Sequence, residues 1–121
     1  MNSAKVKAAL DEAMAIEVAL GACLVDYQSG MTLGTAGGIG MDLEMAAAGT
    51  TEVVRSKLRV MGALGLQDRI EDMLVTLGTQ FHLIRMIKDT DSLFLYLALS
   101  KGPANLGMAK YQLSSAEQKL S

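Results

Sequence analysis

The most constraining feature of this chain is an uncharged run near its C-terminal end, residues 93–99, with the sequence LFLYLAL. A strand with one wet face alternates apolar and polar residues, whereas this run does not alternate and is typical of a strand covered on both faces. Gly102 and Pro103 follow, and they favour the start of a helix. Because a doubly covered strand needs helices above and below its sheet, the sequence predicts a three-layer α+β domain.

Length and charge narrow the class of protein. The 121 residues predict a single domain over residues 1–121, long enough to bury a real core. Eleven basic and 13 acidic residues are scattered along the chain, so no basic field favours nucleic acid. Charges interrupt every apolar run before the roughly 18 residues that a membrane span requires, which argues against membrane insertion. A single cysteine, Cys23, and an N-terminus without an apolar signal core predict a cytoplasmic protein.

The spacing of apolar residues predicts the element order αββαβββα. The first helix begins at Ser3 as its cap, and Asp42 is a good cap for the second helix. The predicted strands cover residues 18–25, 31–33, 72–77, 81–87 and 93–99, and the long second helix covers residues 42–64. The breaks between the last three strands suit hairpins. We therefore expect a five-stranded antiparallel sheet, with the first and last helices on one face and the second helix on the other.

The predicted second helix has two apolar faces. One suits packing on the sheet and consists of Leu43, Ala47, Thr50, Val54, Leu58, Met61 and Leu64. The other, the small-residue face, consists of Ala46, Gly49, Val53, Ser56, Val60 and Ala63. It reflects either the high helix propensity of alanine or a close approach of another helix. Gly49 favours the approach of a second copy of the chain, because an exposed mid-helix glycine costs about 1 kcal/mol relative to alanine.

The glycine-rich stretch of residues 34–40 stands where a phosphate-binding loop would stand, between a strand and a helix. It lacks the Gly-Lys-Ser/Thr ending of such a loop. Asp42 and Glu44 also place negative charge at the start of the helix, where a phosphate would bind. We therefore expect a flexible connection and no nucleotide cofactor.

Residues that carry chemistry are few. Zinc sites need three or four protein ligands, and neither His82 nor Cys23 has others at suitable spacing, so we expect no metal or other cofactor. A histidine at a sheet surface and a buried, inert thiol are the ordinary interpretations. Because no ionisable pair stands out as acid and base, no enzymatic activity is predicted. Arg55, Lys57 and Arg59 form either a solvated helix face or a contact with a partner.

The predicted order and several segments resemble the roadblock (dynein light-chain) family, in particular its bacterial members. The resemblance rests on residues 24–30 (LVDYQSG), 82–85 (HLIR), 93–99 (LFLYLAL) and 105–109 (NLGMA). It covers most of the chain, and its motifs are structural rather than catalytic. It implies a homodimer in which the third strands pair edge to edge and the second helices lie side by side. Met73, Val75 and Leu77 of the third strand then join the small-residue face in the dimer interface.

The resemblance also implies a role. Family members typically serve small Ras-like GTPases as regulators, GTPase-activating proteins or scaffolds, and actinobacterial relatives look like parts of gene clusters that also encode a sensor-kinase-like protein. We therefore expect a dimeric partner of a small Ras-like GTPase, with a sensor-kinase-like protein as a further partner. No basic residue is identifiable as an arginine finger, so any acceleration of hydrolysis would come from repositioning the loops of the GTPase. Arg55 and Arg59 are the predicted docking residues, near the two-fold surface of the dimer.

The alternative function is a small-molecule sensor domain of PAS-like or profilin-like type, because such modules share the outline of a five-stranded antiparallel sheet with helices. A sensor needs a cavity between sheet and helix with a few polar groups inside it. The predicted buried faces of this chain are apolar, which offers little to orient a ligand.

Overall fold

A computed structural model of the chain describes residues 2–102 and 106–121. Its elements, in chain order, are α1 (Ser3–Ala13), β1 (Ala19–Asp26), β2 (Met31–Gly37), α2 (Leu43–Ala63), β3 (Asp72–Thr76), β4 (Gln80–Met86), β5 (Leu93–Ser100) and α3 (Leu106–Lys119). The predicted order αββαβββα is confirmed. Among the described residues, none of the helices has the length and apolar character needed to cross a membrane.

The five strands form one antiparallel sheet in the order β2-β1-β5-β4-β3. β5 is the central strand, and its residues 93–99 are all buried, which confirms the prediction of a strand covered on both faces. β2 and β3 are the two edges. Within the single chain each edge strand pairs with one neighbouring strand, so half of its backbone donors and acceptors face outward.

Alternate residues of β5 divide between two cores. Leu95, Leu97 and Leu99 pack with α1 and α3 on one face of the sheet. Phe94, Tyr96 and Ala98 pack with α2 on the other face. The long second helix thus lies alone on its face of the sheet, mainly over β1 and β2. Both placements agree with the three-layer prediction.

The start of α1 differs from the prediction by one residue. The side chain of Asn2, rather than that of Ser3, caps the helix, with its Oδ1 accepting the N–H groups of Ala4 at 2.7 Å and Lys5 at 3.2 Å. Asparagine is at least as good an N-cap as serine, so composition alone could not separate the two positions. Asp42 caps α2 as predicted, accepting the N–H of Met45 at 3.0 Å.

The glycine-rich stretch is only partly a connection. Residues 34–37 continue β2 and pair with residues 21–24 of β1, so the prediction of a flexible loop over residues 34–40 is wrong for its first half. The glycine at position 34 has a packing reason within this strand. A Cβ there would lie 2.7 Å from Val6 Cγ1 and 2.9 Å from Leu10 Cδ1. The missing side chain lets α1 pack directly on the edge strand.

Two further details concern the helices. Thr51, rather than Thr50, is buried against the sheet, and the predicted core residue Leu64 is exposed at the end of α2. The residues that predict the start of the last helix include Pro103 and Asn105, which lie outside the described residues. α3 begins at Leu106.

Candidate protein-interaction surface

The small-residue face of α2 is uncovered in the single chain. Val53 is 50% exposed and Val60 47% exposed, while Ala46 alone of the six residues is half-buried against the sheet. A Cβ added at Gly49 would meet no atom within 4 Å. Nothing in the described part of the chain therefore accounts for a glycine at this mid-helix position.

Of the predicted strand residues, Met73 and Val75 lie in β3 at the edge of the sheet, whereas Leu77 lies just beyond the end of the strand. Met73 is half-buried, whereas Val75 and Leu77 are 39% and 42% exposed. Met73 pairs with Ile84 and Val75 with His82, and Ile84 belongs to the core beneath α2. Side chains alternate between the two faces of a strand, so Met73 and Val75 point to the face that carries α2.

The two sets of predicted interface residues are therefore on the same side of the sheet. α2 lies mainly over β1 and β2, and on the β4 and β3 part of the face His82 and Met73 are half-buried and Val75 is exposed. An apolar helix face and a partly open sheet face thus occur together with an unpaired strand edge. This combination is typical of a protein-interaction surface.

His82 is a neutral member of this surface. Its Nε2 lies 2.7 Å from Gln80 Oε1, and its ring meets the Tyr96 ring edge-on at 5.4 Å between centroids. Burial lowers the pKa of His82, which favours the uncharged imidazole. The described residues contain no group of three or more His, Cys, Asp or Glu side chains that could hold a metal ion.

Cys23 is inside the core. Its side chain is fully buried, and burial raises the pKa of its thiol to about 12, with a smaller contribution from the Glu44 carboxylate. The thiol therefore stays protonated at neutral pH and is a poor nucleophile. This agrees with the prediction of a buried, inert cysteine.

The buried part of the contact between α2 and the sheet is mainly apolar, and at its exposed edge the Thr32 hydroxyl of β2 donates to the Glu44 carboxylate of α2 at 2.8 Å. Thr51 is the buried polar side chain among the described residues, and its hydroxyl donates to the Ala47 carbonyl of the same helix at 2.8 Å. Its proton is thus engaged within the helix rather than offered to a ligand between helix and sheet. The observation does not favour the sensor alternative.

Arg55 and Arg59 lie one helical turn apart and line an open cleft of about 500 Å³. We call it the arginine cleft, and its lining residues are Tyr27, Gln28, Arg55, Leu58 and Arg59. A helix turns by about 100° per residue, so both arginines lie on the flank of α2 opposite to Val53 and Val60. The predicted docking residues therefore stand beside the β1–β2 turn rather than on the small-residue face.

Tyr27 and Gln28 were not predicted as site residues. They occupy the turn after β1, and only the packing of α2 across the hairpin brings them to the arginines. The rotation of about 100° per residue was the available sequence signal for the position of the arginines, since it already places them on the flank opposite to Val53 and Val60.

Comparisons with known proteins address the fold. No family sequence model and no curated protein sequence matches the chain. Among solved structures, Myxococcus xanthus MglB is 17% identical with a TM-score of 0.84, and the match covers 97% of this chain and 85% of that one. MglB from Thermus thermophilus, a gliding protein, is 18% identical with a TM-score of 0.79, covering 99% of this chain and 90% of that one.

A roadblock/LC7 domain from Streptomyces avermitilis is also similar, with 11% identity, a TM-score of 0.77 and coverage of 98% of this chain and 93% of that one. At these identities the likeness concerns the path of the backbone. The TM-scores and the near-complete coverage of both chains show that the chain has the roadblock fold.

Proposed function

We propose that the chain is a non-enzymatic, homodimeric regulator or scaffold of a small Ras-like GTPase that acts in the cytoplasm. The observation that carries this proposal is the small-residue face of α2, uncovered on the same side of the sheet as the open edge strand β3. The segments that resemble the roadblock family support the choice of partner. Nothing in the described part of the chain supports the further expectation of a sensor-kinase-like partner.

The sheet edge supports the assembly. β3 has no proline and one charged residue, Asp72, so it has few of the features by which edge strands avoid pairing. Pairing of two β3 strands about a two-fold axis would satisfy their outward backbone groups and place both small-residue faces on the same side of the joined sheet. One solved MglB structure, 18% identical to the chain, has a tetrameric arrangement, so a protein of this fold can self-associate.

The chemistry of the side chains supports a binding role. Cys23 is buried and protonated, and His82 is neutral and hydrogen-bonded to Gln80 rather than to an acid that would make it a base. Exposed apolar residues and unpaired backbone groups instead offer contact area. These features suit a protein partner better than a reacting substrate.

The first prediction concerns the dimer. Gly49→Leu should weaken it at least tenfold, because a large side chain overpacks a close helix crossing. Gly62→Leu is the matched control: a Cβ at Gly62 also meets no atom within 4 Å, but Gly62 is outside the small-residue face. Analytical ultracentrifugation measures the dissociation constants. Equal behaviour of the two variants would show that the small-residue face does not form the interface.

The second prediction concerns pH. The dimer would bury His82 further, so proton binding to the imidazole opposes association. Above the pKa of His82 in the monomer, which burial already lowers from the ordinary value of about 6.5, the contribution of the neutral ring is fully present, and it is lost as the pH falls below that pKa. The dissociation constant should rise between pH 7.5 and 5.5 in the wild type and stay flatter in His82→Gln. A parallel rise in both proteins would exclude His82 as the cause.

The third prediction concerns the GTPase. The double change Arg55→Glu and Arg59→Glu should weaken binding of purified Ras-like GTPases encoded in the same genome, while the dimer and its melting temperature stay unchanged. Both arginines are exposed and outside the cores, so the folded chain does not depend on them. Calorimetry at two salt concentrations measures the loss. If Gly49→Leu monomers bind a GTPase as well as the wild type does, docking does not require the dimer.

A further inference from the structure

The arginine cleft has one rigid wall. The Tyr27 N–H donates to the Ser92 carbonyl at 2.8 Å, its hydroxyl donates to the Asp91 carbonyl at 2.5 Å, and its ring stacks on Phe94 at 6.5 Å between centroids. The Gln28 N–H donates to the Asp26 carboxylate at 2.9 Å. The turn that forms this wall is therefore held before any partner arrives, which lowers the entropy cost of binding.

The other wall carries positive charge without an internal partner. Within the described residues neither Arg55 nor Arg59 makes an ion pair. The acidic groups beside Tyr27, Asp26 and Asp91, contribute with burial to the raised pKa of its hydroxyl, but neither pairs with an arginine. Two guanidinium groups thus flank an apolar floor.

The apolar part of the cleft comes from Leu58 and the Tyr27 ring. Leu58 is half-buried against the core beneath α2, and Tyr27 also packs against that core. A cleft of about 500 Å³ between them has room for one or two apolar side chains. The combination of an apolar slot and two flanking cations selects a ligand that has an apolar side chain beside negative charge.

We propose that the arginine cleft binds an acidic segment of a protein partner. An apolar side chain of the segment enters between Tyr27 and Leu58, and its carboxylates meet Arg55 and Arg59. The inference rests on the proposed function in taking the GTPase as the protein that carries the segment. Because the cleft is on the flank of α2 opposite to Val53 and Val60, each protomer of the proposed dimer has its own open cleft.

A carboxylate suits this cleft better than a phosphate. Guanidinium groups bind both anions, but protein phosphate sites commonly add backbone N–H groups at a helix N-terminus or in a glycine-rich loop. Arg55 and Arg59 lie in the interior of α2, where the backbone N–H groups are engaged in the helix. The apolar floor also gives a phosphate nothing to contact.

The test uses the full chain and a display library of random 12-residue peptides as the probe. Selected peptides should be enriched in Asp or Glu next to Leu, Met or Phe. A synthetic peptide of that type should lose affinity about tenfold or more with the double change Arg55→Gln and Arg59→Gln. Lys57→Gln removes a charge from the same helix outside the cleft and should change affinity less than twofold.

Several results would overturn the inference: enrichment of peptides without acidic residues, an equal loss in Lys57→Gln, or displacement of the peptide by GTP, which would assign the cleft to a phosphate. The proposed function is tested separately. If acidic peptides bind the cleft and no purified GTPase binds the dimer, the cleft assignment stands and the GTPase assignment fails. If a GTPase binds and saturating peptide leaves its affinity unchanged, the GTPase assignment stands and the cleft inference fails.

Discussion

The burial of β5 on both faces is the constraint on which the structure depends. Its alternate residues enter two separate cores, so the strand fixes the sheet between α1 and α3 on one side and α2 on the other. One central strand with two neighbours on each side leaves two edges, β2 and β3. The interaction surfaces of the chain follow from what stays uncovered at those two edges and on the lone helix α2.

The two edge strands differ in how well their backbones are shaped to pair with a strand of another chain. β2 has one extra residue, Leu33, between the partners of Leu24 and Val25, and such a bulge disturbs the ladder and twists the edge. α1 also packs closely against β2 at Gly34. β3 pairs with β4 in a regular register without a bulge. Since α2 lies mainly over β1 and β2, the flatter edge is the one that the helix leaves uncovered, which is why the proposed two-fold axis passes there.

The sequence was most informative where hydrophobic periodicity is strong. The uncharged run of β5 and the periodic pattern of α2 located both elements within one residue at each end. The second half of β2 was missed because glycine has no strand preference, and only the closeness of α1 explains Gly34. The arginine cleft was missed for a similar reason: Tyr27 and Arg55 are brought together by tertiary packing, which no spacing along the chain encodes.

The central claim is that β3 is the strand through which the chain dimerises. Hydrogen–deuterium exchange of the full chain at increasing protein concentration tests it most directly, with the other edge strand as an internal control. We expect the outward-facing amides of Asp72–Thr76 to become protected as the concentration rises, while those of Met31–Gly37 exchange at an unchanged rate. Protection that appears at β2 instead, or at neither edge while the chain is dimeric, would contradict the account.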